Sequence, residues 1–201
     1  MEKVTCRVGV HDGGAAASIT PRPPQGQPIV TALAHDSAPY AFAGAHADVG
    51  FVTTGSPDRA RSAVVQIRAA ERRSHRDERI HVFGDLVVFL DDTTEAAVRR
   101  KARLDTAAGS EFSSDAPFFA GTPDELAQRL EALSAAGLTG FRLRPAALPH
   151  DLLGITRGLV PALQRRGRFR ERYETESLRG SLGFRRPPNR YARAAPLGDV
   201  G

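Results

Sequence analysis

The sequence predicts an α/β protein in which short, mostly parallel strands are covered by helices, and three stretches support this prediction. Residues 118–145, FFAGTPDELAQRLEALSAAGLTGFRLRP, indicate a strand, a helix and a second strand. Residues 49–67 repeat the order of strand, turn and helix. Residues 80–90, IHVFGDLVVFL, are the longest apolar run and have the length of a buried central strand.

The first part of the chain is predicted to be irregular. A short strand is expected at Lys3–Val8, but the residues that follow up to Gln27 include two adjacent glycines and several prolines, which indicate a loop or leader. Ile29–Ala34 is then an apolar run of strand length, and an alanine-rich helix is expected at Pro39–Ala47.

The polar turn His35-Asp36-Ser37 joins this strand to the helix. A helix N-terminus after a strand is a usual place for an anionic group, because free backbone N–H groups and the positive end of the helix dipole point outward there. Asp36 or Ser37 can equally be the helix N-cap. From the residues alone, both interpretations stand.

A second βα unit is predicted to start with a strand at Val49–Val52. Residues 55–58, Gly-Ser-Pro-Asp, repeat the Gly-Thr-Pro-Asp of residues 121–124. A serine or threonine N-cap followed by proline at the first helical position favours a helix start in both places. Since this is also a common way to begin any helix, the repeat indicates either a shared βα unit or ordinary capping.

The central strand predicted at Ile80–Leu90 contains Gly84-Asp85, where we expect a bulge or bend. Asp92 and Glu95 have the spacing of a capping box, which predicts a polar helix from Thr94 to about Ala107.

The helix after residue 121 has the clearest signals. Thr122 is placed as the N-cap and Glu125 completes a capping box, while leucines at positions 126, 130 and 133 form one apolar stripe. Gly137 is expected to end the helix, and a strand should follow up to Pro145. A last helix is expected at Pro149–Gln164, although two glycines and a proline weaken it.

The charge of the chain lies mostly in its C-terminal part. The net charge is +5, and residues 155–201 hold eleven arginines against four acids. Acids are interleaved with these arginines and aromatic residues are few, so we do not expect a nucleic-acid-binding protein. A solvated or subunit-contacting tail is the preferred interpretation.

The remaining composition favours a cytoplasmic protein. No apolar run approaches the ~20 residues that cross a bilayer, and the first residues show no secretory signal, so no membrane association is expected. The single cysteine, Cys6, excludes an internal disulfide framework and suits a reducing compartment.

Chemical motifs are few. The six histidines show no paired metal-ligand spacing, so no metal site is expected. There is no Gly-x-Ser-x-Gly elbow, phosphate-binding Walker loop or dinucleotide-binding glycine fingerprint. The residues themselves therefore predict a β/α protein whose strand-to-helix turn at His35–Ser37 is either an anion site or an ordinary helix cap, and they assign no catalytic residue.

Three blocks carry a family resemblance. They are residues 18–52 (SITPRPPQGQPIVTALAHDSAPYAFAGAHADVGFV), 81–105 (HVFGDLVVFLDDTTEAAVRRKARLD) and 119–192. The third block contains Val-Pro-x-Leu-Gln-x-Arg-Gly and ends on Arg-Pro-x-Asn-Arg-Tyr, which makes it the most specific. Together they resemble the C-terminal part of luciferase-like flavin-dependent monooxygenases, in the branch of the nitrilotriacetate, EDTA and dibenzothiophene-sulfone monooxygenases.

The resemblance implies a partial TIM-type (β/α) barrel with parallel strands and flanking helices, the C-terminal half of the bacterial luciferase-like fold. It also implies an enzyme that uses reduced flavin mononucleotide (FMN), delivered by a separate flavin reductase, to activate oxygen and oxidise a small organic substrate.

A cofactor site at the end of the strand Ile29–Ala34 is implied as well. The family usually has Ala-Gly-x-Ser there, close to the flavin phosphate, whereas residues 33–36 are Leu-Ala-His-Asp in this chain. The Asp36 carboxylate would repel a phosphate, so the resemblance transfers the cofactor-binding role to His35 and Ser37.

The expected organisation is an irregular leader at residues 1–17, a partial barrel at 18–166 and a basic C-terminal tail at 167–201. In the family an N-terminal half precedes these blocks and surrounds the isoalloxazine ring. We therefore expect a truncated product, or a barrel completed by a homo-oligomer or a second chain. The alternative function is a non-catalytic remnant or interaction protein of the same fold.

Overall fold

The structure is a computed structural model that describes residues 22–189. The predicted leader at 1–17 and the strand at Lys3–Val8 lie outside the described residues. Two compact units are present. Val30–Arg172 form one unit, and the other is described at residues 22–29 and 173–189. The predicted boundaries at residues 18, 166 and 167 stay predictions.

The larger unit alternates strands and helices along most of its length. Its elements are β1 (Thr31–Ala34), α1 (Ser37–His46), β2 (Val49–Val52), α2 (Pro57–Arg73), β3 (His81–Leu90), α3 (Thr94–Ala108), β4 (Phe118–Gly121), α4 (Pro123–Ala135), β5 (Gly140–Pro145), α5 (His150–Leu153) and α6 (Val160–Arg165). Gly154–Leu159, a π-helical segment, joins α5 to α6.

All five strands belong to one sheet, and every pair is parallel. β1 pairs with β2, β2 with the first half of β3, and β5 with the opposite edge of β3. The short strand β4 pairs with the second half of β3. The order β1-β2-β3-β5 is therefore a run of four parallel neighbours, which confirms the predicted parallel α/β sheet.

The helix starts follow from capping chemistry. Thr122 and Glu125 form the predicted capping box, in which the Thr122 N–H donates to Glu125 Oε2 over 2.8 Å. Ser56 caps α2, as predicted. The predicted box at the start of α3 is wrong: Thr93, not Asp92, is the N-cap, because its hydroxyl accepts the Ala96 N–H at 3.2 Å.

The predicted bend in the central strand is also wrong. β3 runs without interruption through Gly84 and Asp85. A Cβ at residue 84 would lie 2.8 Å from Leu138, so glycine is needed here for close packing and not for a bulge. The Asp85 carboxylate is bound by arginines of the neighbouring strand β5 and does not break the ladder.

The core lies between the sheet and the helices. Alternate residues of the strands, among them Val52, Val82 and Val88, point to the helices and are fully buried. The leucine stripe of α4, with Leu126 and Leu130, packs on this side. The opposite face of the sheet carries Leu33, Phe51 and Phe83 in register.

The last predicted helix, Pro149–Gln164, is confirmed as a helical segment, but it is not a regular α-helix. Between α5 and α6 the backbone widens into the π-helical turn. Gly158 lies here, where a Cβ would approach Pro123 to 2.7 Å. Pro161 has no N–H to donate, which is another reason why the regular ladder is interrupted.

The smaller unit contains one helix, α7 (Leu178–Ser181), within its described residues. Its two segments are joined by the Arg179 N–H, which donates to Gln25 Oε1 over 3.2 Å, and by a hydrogen bond from Arg22 to the Pro187 carbonyl. Over residues 22–189, no helix has both the length and the apolar character that crossing a membrane requires.

Candidate functional site at the carboxyl ends of the strands

In a parallel sheet the carboxyl ends of all strands open to one side, where ligands usually bind. The residues that follow these ends are His35 after β1, Thr53 after β2 and Asp91 after β3. Two different polar clusters form there: one at β1 and β2, and one at β3.

The turn after β1 resolves the choice of N-cap. Asp36 has an extended backbone, and its Oδ1 accepts the Ala38 N–H at 3.1 Å, so Asp36 is the N-cap of α1. Ser37 is the first helical residue. Burial, together with the nearby Asp36 carboxylate, raises the pKa of Tyr40 in the first turn of α1.

Both residues predicted to bind the cofactor lie in this turn and are exposed. The His35 Nδ1 lies 2.7 Å from the Thr53 hydroxyl, a hydrogen bond that ties the end of β1 to the end of β2. The other ring nitrogen of His35, Nε2, takes no part in this bond. Ser37 adds a hydroxyl and a backbone N–H at the N-terminus of a ten-residue helix.

Thr54 is the residue that the sequence interpretation missed. It follows Thr53 at the end of β2 and is only 4% exposed. Within the described part of the chain its hydroxyl has no hydrogen-bond partner. Since nearly all buried polar groups in folded proteins are hydrogen-bonded, the Thr54 hydroxyl at the end of β2 requires a partner such as an ordered water or a ligand atom.

These residues fit a phosphate ester. The hydroxyls of Ser37 and Thr54, one imidazole and the N-terminus of α1 are all groups that can donate to phosphate oxygens. One group opposes the fit, because the Asp36 carboxylate that caps the helix carries the same charge sign as the ligand. The cluster is therefore suited to an anion, with one repulsive neighbour.

The cluster at the end of β3 differs from the one at β1, because its central residue is a fully buried carboxylate, that of Asp151. Asp151 accepts the Leu90 N–H at 2.7 Å and the Ala147 N–H at 2.8 Å. Arg100 of α3 donates to both of its oxygens, over 2.5 Å and 3.2 Å. Asp151 thus joins α5 to β3, to α3 and to the loop after β5, and its acceptors are all in use.

Asp91 extends this cluster towards the surface. Its Oδ2 accepts from Arg100 Nε at 2.7 Å, and its Oδ1 lies 2.9 Å from His150 Nε2. Burial alone would raise the pKa of Asp91, but the hydrogen bonds and charge of Arg100 and His150 outweigh it and lower the pKa. Both carboxylates of this cluster have cationic or hydrogen-bonding partners, Arg100 and His150, which is typical of a network that stabilises a fold.

A third polar cluster lies on the face of the sheet that points away from the helices. Asp85 of β3 is almost fully buried and is bound by Arg142 and Arg144 of β5. The hydrogen bonds that Arg142 donates to the Asp85 carboxylate raise the pKa of Arg142, whose guanidinium carbon lies 4.7 Å from the ring centre of Phe51. Arg144 also donates to Asp115 at 2.7 Å, which lowers the pKa of that carboxyl.

The sequence contains a signal for this third cluster, although the alternation of Arg142 and Arg144 with apolar residues by itself predicts only a strand. Arg142 and Arg144 lie two residues apart in a strand, so both point to one face, and an isolated aspartate inside an apolar run requires a cationic partner. No group of three or more histidines, cysteines or carboxylates that could hold a metal ion lies within residues 22–189.

Comparison with known proteins indicates the family of this chain. The family model described as luciferase-like monooxygenase matches residues 7–108. The N-acetyl-S-(2-succino)cysteine monooxygenase of Bacillus subtilis (strain 168) is 40% identical over 76 residues, which are 37% of this chain and 17% of that protein.

Solved structures share the fold over most of the chain. The EDTA monooxygenase EmoA from Chelativorans sp. BNC1 superimposes with a TM-score of 0.71 at 23% identity, over 88% of this chain and 54% of that one. The riboflavin lyase RcaE, solved with modified FMN and riboflavin, gives 0.70 at 18% identity, over 90% of this chain and 53% of that one. The chain therefore spans about half the length of these structures.

Proposed function

Since the chain belongs to the luciferase-like monooxygenase family, we propose that it serves flavin-dependent monooxygenation of a small organic substrate. Reduced FMN, when bound, supplies the electrons with which molecular oxygen is activated. The observation that carries the proposal is the unpartnered, buried hydroxyl of Thr54 at the carboxyl end of β2, beside the His35–Thr53 hydrogen bond.

The names of similar proteins support this choice of chemistry. Monooxygenases are found both among the relatives by sequence and among the structures with the same fold, and one of these structures contains a modified FMN. The proposal includes a separate flavin reductase as partner and a cytoplasmic location, where a reducing environment keeps Cys6 as a thiol.

In this proposal the turn after β1 holds the flavin phosphate. The Nε2 atom of His35 and the hydroxyl of Ser37 donate to phosphate oxygens, and the N-terminus of α1 adds its dipole. Thr54 supplies a further donor from the neighbouring strand. None of these residues is assigned a catalytic step, because each of them holds or orients the cofactor.

Fluorescence titration of the purified chain with oxidised and reduced FMN tests the cofactor assignment. His35→Ala and Ser37→Ala should each weaken FMN binding by about ten- to hundredfold, which corresponds to the loss of one hydrogen bond to a charged group. His75→Ala, in the exposed turn after α2, is the matched control and should bind like the wild type. Saturation that none of these substitutions changes would contradict the assignment.

Thr54→Val separates a ligand contact from a structural role. Valine has nearly the same shape, so removing an unpaired buried hydroxyl should leave the free energy of unfolding unchanged or increase it. FMN affinity should fall at the same time. A variant that loses stability without losing affinity would show that the hydroxyl serves the fold.

Oxygenation itself is tested by adding a flavin reductase, NADH, FMN and oxygen and following oxygen uptake with a panel of small organic acids and sulfur compounds. The proposal predicts substrate-dependent uptake. Exposed apolar residues on the sheet face that points away from the helices, such as Leu33, favour the alternative of a non-catalytic interaction protein. Absence of FMN binding up to millimolar concentration, together with absence of uptake, would establish that alternative.

A further inference from the structure

Among residues 22–189, the run of strands β1-β2-β3-β5 has an unpaired edge at each end. In the described part of the chain, β1 pairs only with β2, and β5 pairs only with β3. The Val30 carbonyl accepts from Val49 N on β2, so the N–H groups of Thr31 and Leu33 point to the opposite, unpaired edge. Exposed strand edges of this kind readily pair with another chain.

The number and direction of the strands define what would close these edges. Four neighbouring parallel strands are half of the eight in a TIM barrel. A two-fold axis parallel to the barrel axis keeps all strands of two copies parallel and places β1 of each copy beside β5 of the other. We infer that two copies of this chain associate through these edges into one closed eight-stranded barrel.

Exposed apolar side chains lie where this association would bury them. Leu33 on β1 is 51% exposed and Phe42 on α1 is 59% exposed. After β5, Leu148 is 72% exposed, and Leu152 and Leu153 of α5 are also exposed. In the closed barrel Leu33 would be buried on the sheet face that points away from the helices. On the helix side, the helices after β5 would cover the junction with β1 of the second copy, on the same side as Phe42.

Size and charge also suit a second copy. The elements at the two edges, β1, α1, β5 and α5, contain 24 residues, within the roughly 20–30 residues per side of a standard interface. On the inner face Asp85 and Asp115 balance Arg142 and Arg144, so two facing copies bring no net charge into the barrel from this cluster.

The dimer would complete the candidate site. The carboxyl ends of all eight strands meet at one end of a barrel, so the loop after β5 of each copy would lie next to the turn at His35 of the other. This deepens the proposed function, since each flavin site would be lined by both copies, but the association is measurable without flavin.

Size-exclusion chromatography with multi-angle light scattering, without flavin, tests the inference on the full chain. The expected mass is twice 21.6 kDa at micromolar concentration. Leu33→Glu and Leu153→Glu should each shift the mass to that of a monomer, because each places a charge at a junction. Val65→Glu, at another exposed apolar position on α2, is the control and should stay dimeric.

Circular dichroism establishes that each variant is folded, and Leu148→Glu in the exposed loop replaces any variant that is not. A wild-type monomer at 50 μM would overturn the inference, as would masses that grow with concentration or a dimer that Val65→Glu disrupts and the edge variants do not. A dimer that fails to bind FMN would contradict only the proposed function. A monomer that binds FMN would contradict only the inferred dimer.

Discussion

The carboxyl ends of β1 and β3 lie at the same end of the parallel sheet, but they differ in their polar residues. At one end these residues are exposed, and at the other they are buried and paired. At β3, Asp151 is completely buried and Arg100 holds it together with Asp91. At β1, His35 and Ser37 are exposed, and the nearby Thr54 hydroxyl is buried without a partner among residues 22–189.

This difference shows which end is available to a ligand. A buried ion pair whose partners are all satisfied has no capacity left for a new contact, and opening it exposes an uncompensated charge. Exposed donors and an unpaired hydroxyl gain hydrogen bonds when an anion arrives. The β3 end therefore stabilises the fold, and the β1 end is the one that we propose for binding.

The largest effect is expected from Asp151→Ala at the β3 end. The substitution leaves the Arg100 guanidinium without its buried partner and removes the acceptor of the Leu90 and Ala147 N–H groups. The free energy of unfolding, measured with urea, should fall by about 3–5 kcal/mol. FMN binding at the β1 end should survive under conditions where the variant is folded.

The neighbouring Asp92→Ala is the control, since Asp92 is exposed in the same loop. Its free energy of unfolding should stay within about 0.5 kcal/mol of the wild type. An Asp151→Ala variant as stable as this control would contradict the structural role of the β3 end.

A smaller, pH-dependent effect is expected at Asp91. Its pKa is lowered in the folded state, so its contribution to stability is present above the unfolded value of about 3.9 and is lost as the pH falls through the lowered folded pKa. The difference in urea midpoint between wild type and Asp91→Asn should be widest above about pH 5 and should narrow towards pH 3. A difference that is independent of pH would contradict the ionised pair with Arg100.

Local patterns in the sequence predicted much of the fold. The Thr122 capping box and the leucine stripe of α4 depend on residues three to seven positions apart, so the sequence alone located them. The cap of α3 was placed one residue early, because Asp92 and Thr93 are both good N-caps and only the backbone geometry selects Thr93.

The clusters of the candidate site could be predicted only in part. The turn at His35 and Ser37 is local, and its position after a strand was readable. Thr54 could not be found in the same way, because its unpaired hydroxyl is visible only once the surroundings are packed. Arg100 and Asp151 are 51 residues apart, and no short-range pattern connects them.

The smallest effect in this comparison concerns Asp36, the repulsive neighbour at the β1 end. Asp36→Asn keeps a side-chain oxygen that can accept the Ala38 N–H but removes the negative charge. One charge at about 4 Å in a solvated site corresponds to about fivefold in affinity, so FMN should bind about fivefold more tightly in the titration. Riboflavin lacks the phosphate, and its affinity should not change. If Asp36→Asn strengthens both ligands equally, the charge acts through the structure of the turn and the phosphate does not lie there.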